Sequence, residues 1–260
     1  VPELNLPEPK NWAEAGKRVF WVALAVFAGV AYFIIRGILA GLRGNYLTTV
    51  LTFGFVTFPI LMMAALLLAA AGKTQTRTSS DATGFTVWPD KRFSMLYLTG
   101  FAVAGPSALL LAFFVPRGAI DIPMSRGMQI FSPALFVAFA VWAAIGLIAW
   151  VRRGGVGYLK VTPATVEIAD VIKTRAVEWD DIVDIKDHSE TKDGKKAGRS
   201  VVLCLRDGSE KVIGALNLYV PRGVALYWLV RHYWRHPEDR TELVDSRAPK
   251  RFRDGRFDLR

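Results

Sequence analysis

The chain has 260 residues, a formal net charge of +10, 52% hydrophobic residues and 22% charged ones. This is too apolar for one ordinary soluble domain and too charged for a bare membrane bundle, so two regions are expected. The basic excess is shared, 11 Lys/Arg against 6 Asp/Glu through position 151 and 22 against 17 beyond it; cations flanking membrane helices and facing anionic headgroups account for it, and no nucleic-acid partner is expected.

A short segment, residues 1–18, leads into four apolar stretches: Val19 to Leu42, Tyr46 to Ala71, Phe93 to Val115 and Met128 to Val151, of 24, 26, 23 and 24 residues. A helix rising 1.5 Å per residue needs about 20 apolar residues to cross ~30 Å of hydrocarbon. Residues 19–151 therefore predict an all-α, four-helix transmembrane domain. The first stretch is too long for a signal-peptide core and has no small-residue cleavage pattern, so it reads as a retained helix.

Arg36 is the one charged residue inside an apolar stretch, and an arginine at mid-bilayer costs about 2.5–3.5 kcal/mol on insertion scales. Snorkelling toward the Arg43 end meets this cost; a carboxylate from another subunit or an anionic lipid phosphate is the alternative. Gly37 and Gly41, Ala65 and Ala69, and Gly100 and Ala104 repeat small residues at the spacing that lets helix backbones approach, within the bundle or against a partner subunit. Pro59 and Pro106 predict kinks in the second and third helices, and Pro116, Pro123 and Pro133 punctuate the connection to the fourth. The four stretches hold no Asp, Glu, His or Lys, so they lack the groups of a proton relay.

If the helices alternate, Lys10, Lys17, Arg18, Lys73, Arg77, Lys91, Arg92, Arg152, Arg153 and Lys160 lie on one side, and Arg43, Arg117 and Arg126 on the other. The positive-inside rule places both termini and the 72–92 connection in the cytoplasm of a plasma (inner) membrane protein. That connection, with Thr74, Thr76, Thr78, Ser79, Ser80 and Asp81, is expected as an irregular polar loop. Its far end, with Phe85, Val87, Trp88 and Phe93, is expected as an interfacial anchor.

From Tyr158 the apolar period becomes two: Val166 and Ile168, Val177 and Trp179, Val183 and Ile185, then Val201, Leu203 and Leu205. Such alternation predicts six or seven short antiparallel strands with one buried face. Asp207-Gly208 marks a tight hairpin. Pro221 opens a helix whose apolar positions Leu226, Leu229, Val230 and Tyr233 lie on one side, and Pro237 ends it. Cys204 is the single cysteine, which excludes an intrachain disulfide.

The run Tyr158 to Ile168, then Val177-Glu-Trp-Asp-Asp-Ile-Val-Asp-Ile185 and the closing helix, resembles the bacterial pleckstrin-homology-like domains often attached to membrane helices. The resemblance implies a small antiparallel β domain with a C-terminal capping helix over residues 152–236, a binding or assembly module without an active site. It transfers no ligand site. Residues 237–260, with 7 Arg/Lys and 6 Asp/Glu, are expected as a charged tail that orders only on a partner.

Lys192, Lys195, Lys196 and Arg199 make a basic hairpin, read either as a solvated turn or as a contact to anionic lipid headgroups. His232 and His236 stand four apart on a helix but lack a zincin glutamate and a third ligand, and the acidic group Asp180, Asp181, Asp184, Asp187 and Glu190 with His188 falls on turns and a solvated face, so no metal is expected. Trp228 and Trp234 point to different sides of their helix, which leaves one of them to face a partner or the membrane surface. No phosphate loop, nucleophile triad or paired carboxylates occur in a supporting context, and no cofactor is expected. The composition fits a non-enzymatic integral membrane accessory or scaffold subunit that meets other membrane subunits and anionic lipids. Its Ala, Arg, Gly and Val-rich texture is similar to that of actinobacterial proteins, where a lipid-import complex of the mammalian-cell-entry type is one expected setting. Lipid binding or transfer by the chain on its own is the alternative.

Overall fold

A computed structural model of the chain describes residues 6–12, 16–153, 155–170, 173–189 and 199–259. Its contacts divide into two units. One comprises residues 19–65 and 92–154; the other gathers residues 1–18, 66–91 and 155–260.

The first unit is built from four helices, α1 (Gly16–Leu42), α2 (Tyr46–Ala70), α3 (Lys91–Phe114) and α4 (Arg126–Arg153). All four are long and apolar enough to cross a membrane. Pro59, Pro106 and Pro133 lie inside helices α2, α3 and α4; Pro133, expected between helices, is thus a helix residue. Glycines set the closest approaches. A side chain at Gly100 would meet Phe58 Cα at 3.1 Å, and the absent side chain lets Phe58 stack on Phe101, centroids 4.7 Å apart and nearly coplanar. Phe139 and Trp142 of α4 close edge-on around the same pair. Farther along, Leu51, Ala108, Leu111, Val115, Phe136 and Ala140 form a second apolar cluster joining α2, α3 and α4.

The second unit holds two antiparallel sheets. In the first, β1 (Arg77–Asp81), β2 (Gly84–Trp88), β3 (Tyr158–Val161), β4 (Thr165–Ala169) and β5 (Thr174–Glu178) lie side by side in that order; in the second, β6 (Ile182–Lys186) pairs with β7 (Val201–Leu205) and β7 with β8 (Glu210–Ile213). Helix α5 (Val224–Arg235) follows, then a 3-10 segment, Pro237–Val244, and helix α6 (Arg247–Asp254). One core takes Phe85 and Val87 from β2, Leu159, Val161, Val166 and Ile168 from the next two strands, Ile185, Val201 and Leu203 from the second sheet, and Leu226, Leu229, Val230 and Tyr233 from α5.

Three expectations change here. The 72–92 connection is not an irregular loop with a membrane anchor: Asp81-Ala82-Thr83-Gly84 turns it into the β1–β2 hairpin, and Phe85 and Val87 are fully buried in the core of this unit. Asp81 Oδ1 accepts the amides of Thr83 and Gly84, an Asx-type turn, and Gly84 passes so close to the Val161 carbonyl that a Cβ there would clash. The charged tail is ordered: Leu243, Ala248, Phe252 and Phe257 are buried in the same core. Finally, the alternation through Val183 breaks. The pairing of β6 with β7 shifts register between Ile182 and Asp184, so Ile182 and Ile185 point inward and Val183 is exposed, the displacement a bulge produces.

Residues 1–18, the α2–α3 connection and residues 155–260 are thus gathered into one compact unit. Alternation of four spans demands that grouping.

Candidate functional site

The second unit is tied together at three places by polar groups. At the base of the β1–β2 hairpin, Asp90 immediately precedes α3. Its carboxylate accepts the Gln75 amide at 2.7 Å, joining the strand that enters the hairpin to the one that leaves it. The Asp90 amide donates to the Leu218 carbonyl at 2.9 Å and Thr74 Oγ1 donates to the Asn217 carbonyl at 2.7 Å. The accepting loop turns through Ala215 and Arg222, the two non-glycine residues with positive φ among those described, a conformation that costs L-residues free energy and is kept where the surroundings fix it.

The second place is the N-terminal segment. Trp12 is buried, donates Nε1–H to the Ser200 carbonyl at 3.1 Å and meets Tyr227 edge-on at 5.7 Å. Asn11 gives its backbone amide and its side-chain amide to the two oxygens of Asp187 at 3.2 and 2.9 Å. Burial pushes the Asp187 carboxyl up, but the hydrogen bonds from His188 and Asn11 outweigh it and hold the group below the usual range. Trp228 Nε1–H donates to the Pro7 carbonyl at 2.9 Å, and Trp234 Nε1–H to the Ile182 carbonyl at 3.0 Å. Trp228 is buried and Trp234 half-buried, and both indole N–H groups are used within this unit. Arg199 pairs with Glu8 at 3.6 Å, so it too serves the N-terminal strap; Lys192, Lys195 and Lys196 lie outside the described residues.

The third place is the C-terminal segment. Arg240 stacks on the Trp179 ring at 4.9 Å and donates to the Tyr233 carbonyl. Arg251 grips Glu242 with Nε and Nη2, both at 2.7 Å, and Asp239 at 3.1 Å; that pairing lowers Glu242 and raises Arg251 from their ordinary values. His232 is buried. Its Nδ1 accepts the Asp258 amide at 3.2 Å, which leaves Nε2 to carry the proton and donate to Asp239 at 3.0 Å. Burial, then the Arg251 charge, holds its pKa below the ordinary histidine value. His236 instead sets its two nitrogens against Glu238 and Asp258, at 3.1 and 3.2 Å, and both contacts raise its pKa. The two rings are 4.8 Å apart, and their pKa values are shifted in opposite directions. Their nitrogens are committed to carboxylates and a backbone amide, and among the described residues no group of three His, Cys, Asp or Glu has metal-site geometry. The spacing of Ala248 and Phe252, followed by Phe257, is the sequence signal that this segment docks.

In the helical unit, Gly37 and Gly41 face α2, where added side chains would strike Thr52, Phe53 and Thr49; their small faces pack inside the chain. Asp121, in the α3–α4 connection, is a hub. Its amide donates to Thr48 Oγ1 at 2.9 Å, its carboxylate pairs with Arg43 at 3.3 Å, and its carbonyl accepts Arg36 Nη2 at 3.5 Å. No protein-family model, no curated protein and no solved structure matches this chain.

Proposed function

We propose that this chain is a non-enzymatic accessory or scaffold subunit of a multi-pass membrane complex, with its sheet-bearing unit on the cytoplasmic face. The observation that carries the reading is the discontinuous make-up of that unit. The N-terminal segment, the hairpin between α2 and α3 and the long C-terminal region build one core. All four helices are therefore joined to it directly in sequence: α1 after the strap at Trp12, α2 and α3 on either side of the hairpin base at Thr74 and Asp90, and α4 just before β3. Such a module transmits the arrangement of membrane helices to a soluble surface, or the reverse, and needs no reacting group.

Ten cations flanking the helices on that side against three on the other support the cytoplasmic placement. The succession of one sheet, a second sheet and a closing helix supports the pleckstrin-homology-like reading, with β2 to β5 as the first sheet's common part and β1 as an added edge.

Purification of the full chain from its native membrane in mild detergent tests the role. Stoichiometric companion membrane proteins are expected, and their loss when Val183 and Val212, exposed on β6 and β8, are replaced by lysine would locate the contact. A chain that purifies alone under every mild condition would refute the reading.

A further inference from the structure

Arg36 carries a charge that the described chain does not neutralise. Its one hydrogen bond is a 3.5 Å contact from Nη2 to the Asp121 carbonyl, and its Nε is buried without a partner. The Asp121 carboxylate is turned to Arg43 and the Asp121 amide donates to Thr48, so this residue offers Arg36 a carbonyl dipole. A guanidinium presents five donors in a planar fork and is satisfied in low dielectric by a bidentate oxyanion. An uncompensated one at the edge of hydrocarbon calls for a counter-ion from outside the chain.

The surroundings distinguish which kind. Arg43 lies seven residues on, in the turn just past the end of α1, and is itself exposed with one carboxylate contact. Between and beside the two arginines, Ile35, Ile38, Leu39 and Leu42 are exposed. Close docking of a foreign helix uses small residues, and those at this level, Gly37 and Gly41, are already occupied by Thr52, Phe53 and Thr49 of α2. What remains is a bulky aliphatic surface that flanks the two cations, with Ile35 and Tyr32 exposed on the mid-bilayer side of Arg36. Helix α1 is also the least covered of the four, with 6% of its most apolar window buried against 44% for α3.

We propose that Arg36 and Arg43 form a binding site for the phosphate of a phospholipid in the leaflet on the Arg43 side, with the glycerol region against Leu39 and an acyl chain running toward the bilayer centre along Ile35 and Tyr32. The phosphodiester oxygens take the guanidinium donors that Asp121 leaves over, and the glycerol and acyl portion covers the aliphatic residues. The site needs no assumption about the soluble unit or about companion subunits.

The test uses the full chain in nanodiscs and native mass spectrometry after transfer to delipidating detergent, with phosphatidylglycerol and diacylglycerol of identical acyl chains as probes. The expected result is that the wild-type chain retains phosphatidylglycerol and releases diacylglycerol, a difference of about tenfold or more in apparent affinity, and that Arg36→Leu loses most of the retained phosphatidylglycerol. Inorganic phosphate is expected to neither bind measurably nor displace the lipid; displacement would assign the site to a free anion and overturn the proposal. Equal retention of the two lipids by the wild-type chain would also overturn it, without reliance on any variant's folding. A photoreactive residue at Ile35, activated in native membranes, separates the remaining occupant. Crosslinks to lipid support the site, whereas crosslinks to a protein show that a partner's carboxylate holds Arg36.

Discussion

At the scale of single residues, the histidine pair on α5 makes the docking of the C-terminal segment depend on pH from both directions. His232 is held neutral in the folded chain, with a folded pKa below 6.5. Its contribution is complete above 6.5 and is lost as pH falls through that depressed value, when the proton added at Nδ1 displaces the Asp258 amide. Glu238 and Asp258 raise the folded pKa of His236 above 6.5; its contribution is complete below 6.5 and is lost as pH rises through the raised value. Arg251, Asp239, Glu238 and Asp258 are the charged groups that face the pair and fix these directions. Amide exchange of residues 257–259 in the full chain, corrected for intrinsic rates, is expected to be slowest in a window bracketing pH 6.5. His232→Gln should remove the acid limb of that profile and keep the alkaline one. A profile that is flat from about pH 5 to 8 would mean that the segment is held by Phe252 and Phe257 alone.

The elements that matter most are those contributed from a distance. The β1–β2 hairpin lies between two membrane helices in sequence, yet Phe85 is fully buried in the soluble core and touches Phe252, rings 5.4 Å apart. Phe85→Ala is expected to destabilise the sheet-bearing unit by about 3–5 kcal/mol, as a buried aromatic truncation does, while Thr78→Ala on the exposed face of β1 should stay within about 0.5 kcal/mol. Denaturant unfolding of the detergent-solubilised chain, followed by tryptophan fluorescence, checks both. The N-terminal strap behaves similarly. Trp12→Ala removes a buried ring and its bond to the Ser200 carbonyl, so a loss of about 3–5 kcal/mol and rapid proteolysis between residues 6 and 18 are expected. Trp12→Phe keeps most of the packing and should cost about 1 kcal/mol more than the ring change itself, the worth of one hydrogen bond.

For the whole molecule the constraint is topological. Ala82 tips the hairpin and Ala119 lies in the α3–α4 connection, both exposed. In a Cys204→Ser background, Ala82→Cys should react with a membrane-impermeant maleimide only once the membrane is opened, and Ala119→Cys in intact cells. Labelling of both from the same side would rule out four crossings. The same argument explains why the sheet-bearing unit cannot form from residues 152–236 alone: without β2, the inner faces of β3 and β4 would lose Phe85 and Val87, and β3 would present an open edge. A fragment starting at residue 155 is expected to aggregate, and one with residues 74–90 joined ahead of β3 by a flexible linker to be better behaved in size-exclusion chromatography.

The amino-acid order determined the four membrane helices almost to the residue, Tyr46–Ala71 expected against Tyr46–Ala70 found and Val19–Leu42 against Gly16–Leu42. A predominantly apolar segment of more than twenty residues satisfies its backbone internally and needs no partner to be recognised. The alternating strands after Tyr158 and the closing helix were legible for the same local reason. Tertiary structure alone decided the rest. Five-residue strands such as Gly84–Trp88 gain their identity only from the strand they pair with, here β3, which follows two intervening membrane helices. Gly37 and Trp228 read equally well as surfaces for a partner until Thr52 and the Pro7 carbonyl are found against them. A residue's type fixes what contact it can make; only the closed chain fixes which neighbour takes it, because the competing groups are far apart in sequence and the choice among them is made by packing.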